Sequence, residues 1–289
     1  MADWILNEHE ALRSGWKVLG FFLLFLALAL AAMVGLHVLG KPLVLGPWLG
    51  AALGALASLF CVGLEGRPFS SLGFGPNRRW LLEWGVGILG GLLIILASAL
   101  LVRGMGGFHW ERTQGMGLGR SLASGWVFLG VAFSEELFAR GYPFQRLLEG
   151  AGPWTAQGVF AALFALLHWG NPGMHGSTRA WATLTIGLSA ILLGLCYLRT
   201  RSLALPIGLH LGWNWAQGSL LGFGVSGTTD TRGLWTPVFR DRPEWLTGGA
   251  FGLEASLPCA LVCGLAIWVV WRWKGPGPLT GASSVPEPE

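Results

Sequence analysis

Charge is scarce in this sequence. Only 12% of its 289 residues are charged, against 53% hydrophobic, where a soluble domain carries about 25% charge. That deficit argues against a water-soluble globule. The formal net charge is +4 and the basic residues are scattered through short connections with no dense tract, so a nucleic-acid partner is not expected. Cysteine is equally sparse. Cys61, Cys196, Cys259 and Cys263 all fall in apolar runs and none forms a CxxC pair, so they read as small hydrophobes, not as disulfides or metal ligands. There is no HExxH motif, no internal repeat and no second soluble domain. A cleavable leader is not expected either: the first apolar run is too long, and Asp3, Glu8 and Glu10 stand beside Arg13 and Lys17 before it.

Long apolar runs are what the sequence has. Val18–Leu36, Pro42–Leu64, Gly85–Val102 and Ala180–Leu198 are each, at roughly 18 residues or more, long enough to cross a bilayer as a helix. Ser121–Phe138, Trp154–Trp169, Leu203–Leu221 and Ala255–Trp271 are weaker runs that carry polar residues. The expected fold is therefore all-α, a polytopic membrane bundle of about eight helices. It is one transmembrane domain over residues 1–274, followed from Gly275 by the Pro-, Gly- and Ser-rich tail "GPGPLTGASSVPEPE", read as disordered. The 46 glycines and 17 tryptophans suit such a bundle, since small residues let helices approach and indoles sit at membrane interfaces. With the N-terminus inside, eleven of the 19 Lys and Arg residues fall on the inner side, which favours that orientation.

Against this oily background the stretch "GVAFSEELFARGYPF" is anomalous. Glu135 and Glu136 lie well inside an apolar run, where ionisable groups are expensive and mark function. Residues four apart share a helix face and neighbours diverge by about 100°. Glu136 and Arg140 can therefore pair, while Glu135 points elsewhere without a local partner. Gly-Tyr-Pro should end this helix near the membrane surface. The spacing recurs in "FALLHWGNP", with Phe164 and His168 on one face, and in "GLHLGWNW", with His210 and Asn214 on one face. Three spans each presenting a polar face predict one shared pocket. If the fifth span crossed fully, His168 would lie far from the glutamates, so a short, tilted or broken fifth segment is expected. The pocket is expected to open on the face where Arg140 and Gly141 end their helix.

A carboxylate and an imidazole around a water make a general base for hydrolysis. A second imidazole and an amide can donate to the oxygen of a tetrahedral intermediate. Those roles fall to Glu135 with His168, and to His210 with Asn214. Ser134 sits about 100° round the helix from Glu135 and makes a poor nucleophile candidate.

In order along the chain, "EELFAR", "FALLH" and "HLGWN" resemble the EExxxR, FxxxH and HxxxN motifs of the CAAX protease and bacteriocin-processing family of membrane-embedded endopeptidases. The resemblance covers roughly residues 121–221 and extends to the type II CAAX prenyl proteases. It implies a bundle of about eight helices around an intramembrane catalytic cavity. By position it makes Glu135 the catalytic glutamate, Glu136 and Arg140 the remainder of its motif, and His168, His210 and Asn214 site-lining residues, with Phe164 in support. The implied substrates are membrane-associated proteins or peptides, prenylated CAAX-type ones among them. The implied location is the plasma (inner) membrane in a bacterium or the endoplasmic reticulum in a eukaryote. No cofactor is favoured; zinc, if used, would take Glu135, His168 and His210. The rival readings are a transporter or proton-coupled channel, for which no paired repeat halves are found, and a non-catalytic scaffold or immunity protein of the same fold.

Overall fold

The computed structural model of the chain describes residues 4–6, 12–228 and 232–276; from residue 277 on, the expected disordered tail lies outside the described residues. Eight long helices run through it: α1 (Ser14–Val38), α2 (Pro47–Leu64), α3 (Arg78–Gly104), α4 (Leu118–Arg140), α5 (Tyr142–Leu167), α6 (Gly176–Thr200), α7 (Ala204–Trp215) and α9 (Leu257–Arg272), with a one-turn α8 (Glu244–Thr247) before the last. Each of the eight apolar runs overlaps one of the long helices. α1, α2, α3, α6 and the α4–α5 stretch are long and apolar enough to cross a membrane, and α9 is a shorter apolar helix. The chain is an integral membrane protein. On α1, Leu23, Leu26, Leu30 and Val34 are all exposed, a stripe at helical spacing that only lipid can cover.

Two short strands are an addition to the all-α expectation. β1 (Phe108–Arg112) and β2 (Trp235–Phe239) pair antiparallel, with Trp110 opposite Pro237, and they form inside two of the longest polar connections. A proline is tolerated there because a two-stranded sheet is all edge.

The tightest packing is between α3 and α7. A side-chain carbon at Gly208 would strike the carbonyl oxygen of Trp84, and one at Gly212 that of Ile88; one at Gly87 or Gly91 would strike the carbonyl oxygen of Leu205 or Leu209. Two small-xxx-small pairs thus face one another, and the backbones touch directly. The spacing of "GLHLGWNW" explains the rest. At 100° per residue, His210 and Asn214 lie on the side of α7 opposite Gly208 and Gly212. One face of this short helix is flattened against α3 so that the other can carry chemistry.

α5 is broken, as the position of His168 required. Gly152 takes φ +81° and ψ 169° ahead of Pro153, a backbone open to glycine and followed by a residue with no N–H to give. The returning part, 153–167, is about 22 Å long at 1.5 Å per residue, short of a hydrocarbon core of about 30 Å. The first part, 142–151, corrects one expectation. α4 does end at Arg140, but not at the surface. Tyr142 stacks on Phe21, a full two turns into α1, with ring centroids 5.8 Å apart, and Gly150 packs on Ser14 at the first residue of α1. The chain therefore runs on towards the face where α1 begins, turns at Gly152, and comes back. Glu65 at the end of α2 fastens this corner: it meets Lys17 at 3.0 Å and Arg146 at 3.2 Å and accepts from Tyr142 at 2.9 Å. Burial opposes ionisation of Glu65, but its partners outweigh that and hold its carboxyl below the usual carboxylate range.

Gly212→Ala should lower stability by about 1–3 kcal/mol, the usual effect of overpacking, measured as unfolding in detergent. Gly35→Ala on α1 is the matched control, since a side chain there meets nothing within 4 Å; equal melting of the two variants would remove the claim that α3–α7 contact limits stability.

Candidate active site

Glu136 and Arg140 are 0% and 1% exposed, on the last two turns of α4. They pair as their spacing predicts, Arg140 Nη1 donating to Glu136 Oε1 at 3.0 Å. Two further bonds tie the pair into the bundle. Arg140 Nη2 donates to the carbonyl of Ala190 on α6 at 2.9 Å, and His210 Nδ1 on α7 donates to the same Glu136 oxygen at 2.8 Å. Three helices are thereby joined through one ion pair. The guanidinium also lies over the Phe164 ring, 5.0 Å from its centroid, which gives Phe164 a cation–π contact beyond plain packing.

Glu135, one residue earlier, faces away from this knot into a cavity of about 220 Å³, which it lines together with His168, His210 and Asn214. At roughly 30 Å³ per molecule the cavity holds about seven waters. The other side of the His210 ring faces Glu135, with Nε2 3.7 Å from its Oε2. His168, at the end of the short return segment, bonds through Nδ1 to the carbonyl of Phe164 at 2.7 Å. A carbonyl only accepts, so that nitrogen carries the hydrogen, and in the neutral ring the lone pair is on Nε2. Phe164 sits between the imidazoles, with ring centroids 4.8 Å from His168 and 6.4 Å from His210. All seven residues singled out in the sequence are thus gathered in one neighbourhood, the cavity or the ion-pair knot beside it. Ser134 is not among them; it packs on Gly50 of α2, on another side of α4.

Residues 118–216 match the family model described as type II CAAX prenyl endopeptidase Rce1-like. The chain is similar to the Rce1-like family over this segment, about a third of its length. A search of the curated proteins finds no match. The Rce1-like segment runs from the first residue of α4 to just beyond α7 and so contains all three polar motifs.

The cavity extends the other way from expectation. Its remaining lining includes Phe128 and Val131, earlier on α4, and Asn171, Val225, Ser226, Thr228 and Glu254. These lie towards the face where α4 begins. Towards Arg140 the way is closed by the buried Glu136–Arg140–His210 knot. The polar side chains of this lining that carried no assignment from sequence include Ser226 and Glu254. Glu254 had one visible signal, a carboxylate at the edge of an apolar run; Ser226 had none.

Zinc does not fit. Among the described residues no three His, Cys, Asp or Glu side chains are placed to hold a metal ion. His210 commits Nδ1 to Glu136, and the Nε2–Glu135 separation of 3.7 Å suits a water-mediated contact.

Arg140→Ala leaves Glu136 as a buried carboxylate without its cation, and should destabilise the protein by about 3–5 kcal/mol. Glu135→Gln, at a wetter position with the His210 Nε2 3.7 Å away, should melt close to wild type. The two melting temperatures in detergent decide it; the reverse order would exchange the structural and cavity-facing roles of the two glutamates.

Proposed function

We propose that this chain hydrolyses peptide bonds of membrane-associated protein or peptide substrates, using a water activated by Glu135 and His168. The observation that supports this is the convergence of Glu135, His168, His210 and Asn214, from three helices, on one cavity of about 220 Å³. Glu135 takes a proton from the water while the bare Nε2 of His168 accepts its other hydrogen and aims the oxygen. Protonated on both nitrogens, His210 donates Nδ1–H to Glu136 and has Nε2–H left for the developing oxyanion, with the Asn214 amide as the second donor. Glu136 and Arg140 hold His210 in register, the part played by a base-orienting group in other hydrolases. The family description names a CAAX prenyl endopeptidase, which makes a prenylated C-terminal CAAX-type peptide the first substrate to assay.

Glu135→Gln keeps shape and hydrogen bonding but removes the base, so cleavage should fall by about 10²–10⁴-fold with the melting temperature nearly unchanged. Cleavage at the wild-type rate would remove the assignment. Wild-type cleavage is also expected to survive exhaustive chelation; loss that zinc restores would replace this mechanism with a metal-dependent one.

A further inference from the structure

Glu254 is a buried carboxylate in the catalytic cavity that the mechanism above leaves unused. It is 5% exposed, lies in the short turn Leu253–Ala255 before α9, and falls outside the Rce1-like segment, 118–216. Its surroundings are built to hold it. Ser226 donates its backbone N–H to Glu254 Oε2 at 2.6 Å, and its hydroxyl lies 3.1 and 3.2 Å from the two carboxyl oxygens. To do this Ser226 adopts φ +47°, a left-handed backbone uncommon for a residue with a side chain. Asn171 fastens it there by donating Nδ2–H to the Ser226 carbonyl at 2.8 Å. Strain of this kind persists where surrounding contacts over-determine it, and it clusters at functional sites.

Peptide hydrolysis needs a proton donor as well as a base. An amine nitrogen leaves a tetrahedral intermediate poorly unless it is protonated as the C–N bond breaks. Glu135 and His168 attend the water, and His210 and Asn214 attend the oxygen, which leaves the nitrogen without a partner. Resting on the peptidase reading, we propose that Glu254 is the catalytic acid that protonates the leaving nitrogen. The water oxygen bonds to the carbonyl carbon as its proton passes to Glu135. The C–N bond then breaks with its electron pair on nitrogen, and that nitrogen takes the carboxyl proton of Glu254. The proton held by Glu135 returns to Glu254 through cavity water, and both carboxyls are reset. The Ser226 N–H and hydroxyl are the donors that steady the Glu254 carboxylate in between. Burial raises the carboxyl of Glu254 above its ordinary range, against the lowering effect of the Ser226 bonds; Cys259 is a further titratable group within its electrostatic reach.

The test compares two leaving groups on one acyl segment. A fluorogenic membrane peptide reads amide cleavage, and the p-nitrophenyl ester of its acyl half reads attack alone, because an aryl oxide departs without a proton. Glu254→Gln retains an acceptor for the Ser226 N–H, so the full-length variant should melt near wild type. It should lose about 10²-fold or more on the amide and less than about threefold on the ester. Ser226→Gly keeps the left-handed turn and the N–H but removes the hydroxyl, and should lose about tenfold on the amide alone; it decides the matter should Glu254→Gln fold poorly. Equal losses on both substrates, or no loss on the amide, would overturn the proposal while leaving the peptidase reading in place. A wild type that cleaves neither substrate would overturn both.

Discussion

Where α7 crosses α3, nothing but hydrogen separates the two backbones, because Gly87 and Gly91 meet the turn that carries Gly208 and Gly212. In lipid there is no hydrophobic drive to bring helices together, so close van der Waals contact of this kind has to supply it. The contact also sets the position of the site. α7 is short, and its rotation is fixed only when its glycine face lies flat on α3. That rotation turns His210 and Asn214 towards α4. Loosening the contact would move an imidazole and an amide together, and everything that bonds to them.

The second constraint is electrostatic. Glu136 is fully buried in a membrane protein and is kept there by Arg140 and His210 on one of its oxygens. Such a knot adds little net stability over a packed apolar core, but breaking it strands a charge. Its service is to specify a single arrangement. Arg140 binds the Ala190 carbonyl of α6, His210 comes from α7, and both are referred to one carboxyl on α4. The adjacent carboxyl, Glu135, is left facing water. Two neighbouring glutamates are divided by the helix period into one buried in the ion-pair knot and one that faces the cavity.

The loops towards the face where α4 begins complete the cavity. Asn171 follows α5, Ser226 follows α7, and Glu254 precedes α9, so three connections that are distant in sequence close over the same space. The broken α5 makes this possible. A helix that crossed the bilayer fully would carry His168 past Glu135, whereas the turn at Gly152 and the short return segment stop it beside Phe164 and the cavity wall.

Much of this was readable in the residues alone. Apolar runs specify helices because an unpaired backbone cannot be left in lipid, and i, i+4 spacing placed Glu136 on Arg140 and separated both from Glu135. The same geometry put His210 and Asn214 on one face. Even the break in α5 followed from asking how His168 could return to the glutamates. The sequence could not say which way the cavity extends, because that depends on which end of the bundle the buried knot seals and where the chain goes after Arg140. Nor could it single out Ser226 or assign Glu254 to the cavity, since each gains its place only through a hydrogen bond to a residue tens of positions away. Local periodicity determined the helices and the faces they present; long-range packing alone decided which faces meet, and which loops line the cavity between them.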